Sequence, residues 1–331
     1  MEKRQLGKSN LHVSTLALGC WALAGGSGWG DQDEKQAIAT IHAALDHGIN
    51  FFDTAEGYGN GVSEEIVGKA LVDRRDKALI ATKISPNHAH PDTVRDYLEA
   101  SLHRLQTDYV DLYIIHWPLS FPVADTLAVM EACKKEGKIR ALGVSNFGQA
   151  NLGEMLEPGI DVDANQCCYN LLSRAIEFDV LPICRDNQIS VTAYMPLQQG
   201  ILTGKWQTID DIPAFRTRTR HFSSKRPGTR HDGPGAEAEV AAALDAIRTI
   251  AEDLNQPMAN VALAWVAAQQ GVASVLAGGR TPEQVERNVR SMALKLPPDA
   301  FAGLNRATAK LKDELGANLD YWQNTENARS C

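Results

Sequence analysis

Asn50-Phe51-Phe52-Asp53-Thr54-Ala55-Glu56-Gly57-Tyr58, Ala78-Leu79-Ile80-Ala81-Thr82-Lys83 and Val110-Asp111-Leu112-Tyr113-Ile114-Ile115-His116 share one plan. Each opens on a short, mostly apolar run and closes on a polar residue able to carry or hold a proton. Runs this short, rich in branched or aromatic side chains, read as buried strands rather than helices. In a closed parallel α/β barrel, residues at the C-terminal strand ends face the catalytic mouth. Asp53, Tyr58, Lys83 and His116 delivered to one mouth would make a proton-donating site.

The same alternation continues through the chain. Strand-like runs fall at Thr15–Leu18, Asn50–Phe52, Ala78–Ala81, Val110–Ile115, Ile139–Gly143, Val162–Asn165, Ile189–Ala193 and Ser274–Ala277. Helical patterns fall at Asp33–His47, Ser63–Val72, Asp92–Leu105, Ala124–Glu136, Gln149–Glu157, Ala175–Asp186, Ala236–Asn255 and Pro282–Met292. Pro91-Asp92 and Thr281-Pro282-Glu283 have the composition of helix starts. Eight such units predict a single-domain (β/α)8 TIM barrel over residues 1–331. Leu6 to Val13, with Gly7-Lys8-Ser9-Asn10 at its centre, reads as a β-hairpin plugging the barrel bottom. Residues 200–235 form a long βα loop and residues 297–331 a C-terminal extension, helical over Ala300–Leu315. Loops of such length in a compact domain are usually functional or disordered.

Composition narrows the partners. With 33 basic against 41 acidic residues, the net charge of −8 disfavours nucleic acid or an anionic membrane. The start lacks a signal-peptide core, and the longest weakly polar stretch, Ala259 to Ala268, is half a membrane span; a cytoplasmic location is expected. Cys20, Cys133, Cys167, Cys168, Cys184 and Cys331 lack the spacing of a zinc site or disulfide framework and read as reduced packing residues. No metal is expected.

Taken in order, the motifs resemble those of the aldo-keto reductase family, on the bacterial branch related to channel β subunits. The matching pieces are Asp53-Thr54-Ala55-Glu56-Gly57-Tyr58-Gly59 with Ser63-Glu64-Glu65, Ala81-Thr82-Lys83, and Asp111-Leu112-Tyr113-Ile114-Ile115-His116-Trp117-Pro118. Gly143-Val144-Ser145-Asn146-Phe147, Asn165-Gln166, Tyr194-Met195-Pro196-Leu197 and Gly278 through Asn288 complete them. The resemblance implies a (β/α)8 barrel, NADPH as coenzyme, and reduction of an aldehyde or ketone to an alcohol.

Carried over by position, Tyr58 would be the general acid, Asp53 would orient Lys83, and His116 would hydrogen-bond the substrate oxygen. An ordinary phenol with a pKa near ~10 donates poorly at neutral pH, and a shift of ~2–3 units needs roughly 3–4 kcal/mol. One ammonium at ~4 Å supplies about 4 kcal/mol at an effective dielectric of ~20, so Lys83 alone is expected to provide most of it. Ser145, Asn146 and Gln166 would grip the nicotinamide carboxamide, with Tyr194 stacked on the ring. Pro196 and the turn Leu197–Leu202, including Gly200 and Leu202, together with Lys205, would face the pyrophosphate. Gly278, Arg280, Gln284 and Asn288 would seat the 2′-phosphate and adenosine at a helix start. Relatives carry a Lys-Ser pair where Gly278 and Gly279 stand here, so NADPH preference is expected and use of NADH stays open. Trp21 and Trp117 would wall the substrate pocket, Trp21 also touching the coenzyme.

Two features compete with this reading. Gly25-Gly26-Ser27-Gly28-Trp29-Gly30 resembles a dinucleotide glycine motif and follows a strand, but it precedes the first helix only after a polar gap; it reads as a flexible loop over the mouth. Arg216, Arg218, Arg220, Lys225, Arg226 and Arg230 form a basic run, read as a solvated loop or a clamp on an anionic coenzyme or substrate. The polar, Arg-bearing loop tilts the substrate toward a small hydrophilic, sugar-derived aldehyde. The alternatives are a nucleotide-sensing binding module with vestigial catalysis, or an NADP-dependent sugar or alcohol dehydrogenase running in reverse. Oligomeric state is not legible.

Overall fold

The structure, a computed structural model, describes residues 1–26, 28–157 and 160–330. Ser27 of the glycine-rich loop and Cys331 lie outside the described residues. Eight strands close into a parallel barrel: β3 (Leu16–Gly19), β4 (Phe51–Asp53), β5 (Leu79–Ile84), β6 (Val110–Ile115), β7 (Ile139–Ser145), β8 (Ala164–Cys168), β9 (Ser190–Tyr194) and β10 (Val272–Gly278), which pairs back with β3. Before the barrel, β1 (Lys3–Gln5) and β2 (His12–Ser14) form the antiparallel hairpin expected there. Its Leu6 and Val13, fully buried, pack with Phe51, Ala81, Leu112, Ala141 and Ala164 inside the barrel. The hairpin thus plugs one end and leaves the other to chemistry.

Strand periodicity explains what reaches that open end. Successive side chains along a strand alternate between faces. Phe51, Ala81, Ile114 and Ala164 point into the barrel, while Phe52, Ile80, Tyr113 and Ile115 pack outward against the helices. Two residues further along the inward row come Asp53, Lys83, His116 and Gln166. Asp53, Lys83 and Gln166 therefore continue the inward rows of their strands, and His116 lies one residue past the end of β6.

This corrects the placement expected from sequence. Asp53 ends β4, Lys83 lies inside β5 beside Ile114 of β6, and Gln166 is the middle residue of β8. The strands run further toward the mouth than their apolar runs because Lys83 and Gln166 find buried partners there.

Helices α1 (Glu34–Asp46), α2 (Val62–Leu71), α3 (Val94–Leu105), α4 (Val123–Lys135) and α5 (Gln149–Leu156) follow the expected pattern. The helix expected at Ala175–Asp186 splits into a short turn, Ala175–Glu177, and α6 (Val180–Asp186). Pro91-Asp92 does not open a helix, since α3 starts after Thr93.

A larger correction lies between β9 and β10. The expected helix forms as α7 (Glu237–Asp253), but the layer against β10 is filled by α8 (Met258–Ala267). All but three of its ten residues are buried, Trp265 completely. A helix apolar on most sides has no amphipathic stripe for sequence reading to find. Then come α9 (Pro282–Ser291), whose Thr281 cap accepts the Gln284 N–H, α10 (Pro298–Ala307) and α11 (Ala309–Leu315). The 200–235 loop is anchored by Phe222 and His221, which are fully buried, while residues such as Asp210, Lys225 and Arg230 are exposed. No described helix is long and apolar enough to cross a membrane. The five described cysteines are free and buried.

Because Leu6 is the hairpin's apolar plug, Leu6→Ala should lower the unfolding free energy by about 2–4 kcal/mol, the usual cost of truncating a buried leucine. Urea denaturation checks this; an unchanged midpoint would mean the hairpin is not integral to the barrel.

Candidate active site

Lys83 is the centre of the mouth. Its side chain is wholly buried, and its ammonium donates to Asp53 Oδ1 at 2.7 Å, to the Thr54 carbonyl at 2.7 Å and to the Tyr58 hydroxyl oxygen at 3.3 Å. An ammonium has three N–H donors, so each is matched to one acceptor. The turn after β4 lifts Tyr58 over the barrel, with its N–H bonded to the Ala55 carbonyl at 3.0 Å. His116 follows β6, its N–H bonded to the Ile84 carbonyl at 2.9 Å, and its ring lies 5.7 Å from the Tyr58 ring, edge to face. The four expected residues are brought together.

Their electrostatics differ in one respect from the simple expectation. Burial raises the Tyr58 phenol above its ordinary value, Lys83 pulls it down, and Asp53 pushes it up again. The net direction is upward. Sequence arithmetic counted the ammonium and omitted both desolvation and the carboxylate beside it. Burial also works against the Lys83 ammonium, but Asp53 and Tyr58 outweigh it and raise its pKa. Burial, then Lys83 and Arg329, lower His116 to about 3, although part of its ring still reaches solvent. At neutral pH the mouth therefore holds a protonated phenol, an ammonium and a neutral imidazole.

A second network adjoins the first. Gln166 Nε2 donates to Asp53 Oδ2 at 2.7 Å, so the two oxygens of that carboxylate serve Lys83 and Gln166 separately. Ser145 Oγ donates to the Gln166 carbonyl at 3.0 Å and accepts from Asn146 Nδ2 at 3.0 Å. Tyr194 donates to Asn146 Oδ1 at 2.7 Å. Asn146 has φ of 61°, a left-handed conformation that asparagine tolerates better than most residues. Ser145, Asn146, Gln166 and Tyr194 are thus one hydrogen-bonded patch beside the tetrad.

The outer residues vary more. Trp21, 39% exposed, stacks on Tyr58 with ring centres 5.9 Å apart. Trp117 is walled by the C-terminal extension: Trp322 lies 6.3 Å away and the Arg329 guanidinium 3.6 Å above its ring. Arg329 is itself held by both oxygens of buried Asp320. In the turn after β9, Pro196 is buried, and the Gly200 and Leu202 N–H groups both bond the Leu197 carbonyl. Those two N–H groups are therefore already engaged, contrary to the open cradle expected. Lys205 is exposed, with its ammonium 5.6 Å from the Trp206 ring.

At the start of α9, Gln284 Oε1 accepts the Arg280 backbone N–H at 2.8 Å, and Asn288 Nδ2 donates to the Gly278 carbonyl at 3.1 Å. The Arg280 side chain donates to Gln32 Oε1 at 2.7 Å and to the carbonyls of Trp29 and Asp31. The glycine-rich loop is consequently pinned rather than free over the mouth. Nothing in the sequence linked Arg280 to Trp29, or Arg329 to Trp117, because each pair is separated by more than two hundred residues. No cluster of metal-ligating side chains occurs among the described residues.

Comparisons with known proteins agree with this geometry. A family model described as the aldo/keto reductase family matches residues 15–309. A protein of Escherichia coli named NADH-specific methylglyoxal reductase is 35% identical, covering 94% of this chain and 99% of that one. Among solved structures, the glycerol dehydrogenase of Gluconobacter oxydans superposes with a TM-score of 0.79 at 33% identity, over 93% of this chain and 95% of that one. An aldo-keto reductase of Klebsiella pneumoniae solved in complex with NADPH gives 0.74 at 29% identity, over 93% and 96%. With its plugged parallel barrel and its buried lysine between an aspartate and a tyrosine, the chain belongs to the aldo/keto reductase family.

Proposed function

We propose that the protein reduces small hydrophilic aldehydes with NADPH, Tyr58 acting as the general acid. One observation carries the reading: the Lys83 ammonium, 3.3 Å from the phenol oxygen and neutralised by Asp53, stands where negative charge would grow on Tyr58. Burial keeps the phenol protonated at neutral pH but also makes it a weaker acid, so its use as a donor rests on the ammonium offsetting the charge left behind. The same ammonium stabilises the phenolate only once the proton has moved, so stabilisation is concentrated where charge develops. Neutral His116 offers a ring N–H to the carbonyl oxygen and fixes its angle.

The residues present suit a nicotinamide dinucleotide. Bound NADPH would supply the hydride that no side chain can. Ser145, Asn146 and Gln166 offer amide and hydroxyl groups to a carboxamide, and Tyr194 offers a ring beside them. Arg280 sits at the N-terminus of α9, a favourable phosphate position. Three of its guanidinium donors hold the Trp29–Gln32 loop, which leaves two of five for a phosphate. The name of the E. coli relative keeps use of NADH within the reading. The names methylglyoxal reductase and glycerol dehydrogenase both denote small polar substrates. The second also supports a reverse, alcohol-oxidising direction. Presence of all four tetrad residues speaks against a purely nucleotide-sensing role.

Tyr58→Phe should lower kcat for aldehyde reduction by about 10²–10⁴-fold, the usual worth of a positioned acid, while the Kd for NADPH, read by fluorescence titration, stays unchanged. Near wild-type turnover would remove Tyr58 from the role. Arg280→Ala should weaken NADPH by about tenfold or more, as expected for a lost charge-assisted contact, and NADH much less; equal weakening of both would exclude a 2′-phosphate contact.

The pH profile follows from the shifts. His116, lowered to about 3, is already neutral at pH 5, and Tyr58, raised above the ordinary 10, keeps its proton through pH 9. The kcat profile should therefore be flat between those values and fall only at higher pH, as the acid is lost. A break near 6.5 would show that His116 titrates in the working range.

A further inference from the structure

Two carboxylates near the Tyr58 turn are buried without touching the tetrad, and their partners differ. Glu64 of α2 is wholly buried; one of its oxygens accepts the Arg104 Nε–H at 2.6 Å and the other the Thr82 hydroxyl. A guanidinium thus covers that charge. Glu56, 8% exposed and two residues before Tyr58, has no lysine or arginine partner among the described residues. Its Oε1 instead accepts the Ser85 backbone N–H at 2.8 Å and the His88 Nδ1–H at 2.8 Å. An ionised carboxylate only accepts, which makes His88 the donor. A buried carboxylate is costly without partners, so this choice of partners calls for a physical reason.

His88 is itself held from two sides. Its ring lies flat on Tyr97 of α3, with 3.9 Å between centres and 6° between planes. Its carbonyl accepts the Thr93 hydroxyl at 2.9 Å. Ser85 opens the short turn Pro86–His88 directly after β5. The Glu56 carboxylate therefore ties the turn after β4 to the turn after β5.

That tie falls between the phenol and the ammonium. The Glu56 N–H also reaches the Lys83 carbonyl, at 3.4 Å, so backbone and side chain of one residue both grip the end of β5. Beyond Tyr58 the turn runs through Gly59, Asn60 and Gly61, all left-handed, with φ of 61°, 52° and 92°. Two of the three are glycines, whose backbone freedom restrains the phenol little from that side. The contact in question is also the longest that Lys83 makes. Its ammonium lies 2.7 Å from Asp53 and from the Thr54 carbonyl, but 3.3 Å from the Tyr58 oxygen. Hydrogen bonds from nitrogen to oxygen usually span about 2.7–3.2 Å, so the turn, rather than the bond, sets that distance.

We propose that Glu56 and His88 are a positioning pair for the proton donor: Glu56 sets the reach of the β4–α2 turn against Ser85, and His88 holds the carboxylate in place. The proposal rests on Tyr58 being the acid and names what places it. Releasing the turn lets the phenol drift from Lys83, and a displacement of about 1 Å can cost about a hundredfold in rate. Neither residue bonds the amide patch or Arg280, so coenzyme binding does not depend on the pair.

The test compares wild type with Glu56→Ala, Glu56→Gln and His88→Phe, thermal midpoints serving as the folding control. Glutamine keeps an oxygen for both N–H groups, whereas phenylalanine keeps a ring on Tyr97 and loses the donor. Glu56→Ala should lower kcat for glyceraldehyde by about tenfold or more, with KM and the NADPH Kd within about twofold of wild type. Glu56→Gln should recover most of that loss, and His88→Phe should fall between the two. A crystal structure of Glu56→Ala should show the Tyr58 oxygen and Lys83 Nζ more than about 3.5 Å apart, beyond hydrogen-bond reach. A folded Glu56→Ala that keeps the 3.3 Å contact overturns the proposal, as does a kcat loss in Glu56→Gln as deep as in Glu56→Ala. If the contact opens while kcat holds, the pair positions Tyr58 but Tyr58 is not the acid. If Glu56→Ala does not fold, His88→Phe decides: a longer contact and lower kcat than in Glu56→Gln support the pair, and equality overturns it. Should wild type turn over no aldehyde, the reductase reading fails and the variant structures alone decide the pair.

Discussion

The site depends on one ammonium that cannot reach water. Lys83 is buried, and burying a lone charge is prohibitively costly, so the fold must surround it with acceptors. It does so with one carboxylate, one carbonyl and one phenol. The carboxylate neutralises the ammonium, the carbonyl helps orient it, and the phenol receives its remaining donor. Removing either charge of the Asp53–Lys83 pair would strand the other. With two donors committed to Asp53 and Thr54, the third is left for the Tyr58 hydroxyl.

Strand geometry makes such an arrangement possible. Adjacent parallel strands β4 and β5 bring Asp53 level with Ala81, and the next inward residue of β5 is Lys83. From the opposite side of the barrel, Gln166 of β8 reaches the second carboxylate oxygen. The Lys83–Tyr58 group and the amide patch thus share Asp53. Around this rigid floor the walls come from distant sequence: Trp21 and Trp29 from the β3–α1 loop, Phe215 and Arg216 from the β9 loop, and Trp322 and Arg329 from the tail. Floor chemistry is held by strands, and selectivity is left to loops.

Much of the floor was legible because the polar residues that end short apolar runs are local signals. Asp53, Lys83 and His116 each follow an inward apolar residue two positions earlier in the chain. The hairpin plug was legible from its central glycine and flanking β-prone residues. The extension of β5 through Lys83 was not, since a lysine ends an apolar run on paper and continues a strand only when a buried acid receives it. Helix α8 escaped because it is buried on most sides and shows no stripe. The direction of the Tyr58 shift was missed because desolvation depends on what packs around the ring. Arg280, Arg216 and Arg329 were readable as charges, but their partners are set by tertiary contacts across the mouth.

In the proposed mechanism, the buried ammonium makes Tyr58 an effective acid by stabilising the phenolate left behind. Turnover of an Asp53→Asn/Lys83→Met double variant tests it most directly, because both charges vanish together and neither is left unpaired. At saturating coenzyme and aldehyde, kcat should fall by about a hundredfold or more, in the range assigned to preorganised charge stabilisation. A folded double variant turning over within about threefold of wild type, well below that range, would contradict the account.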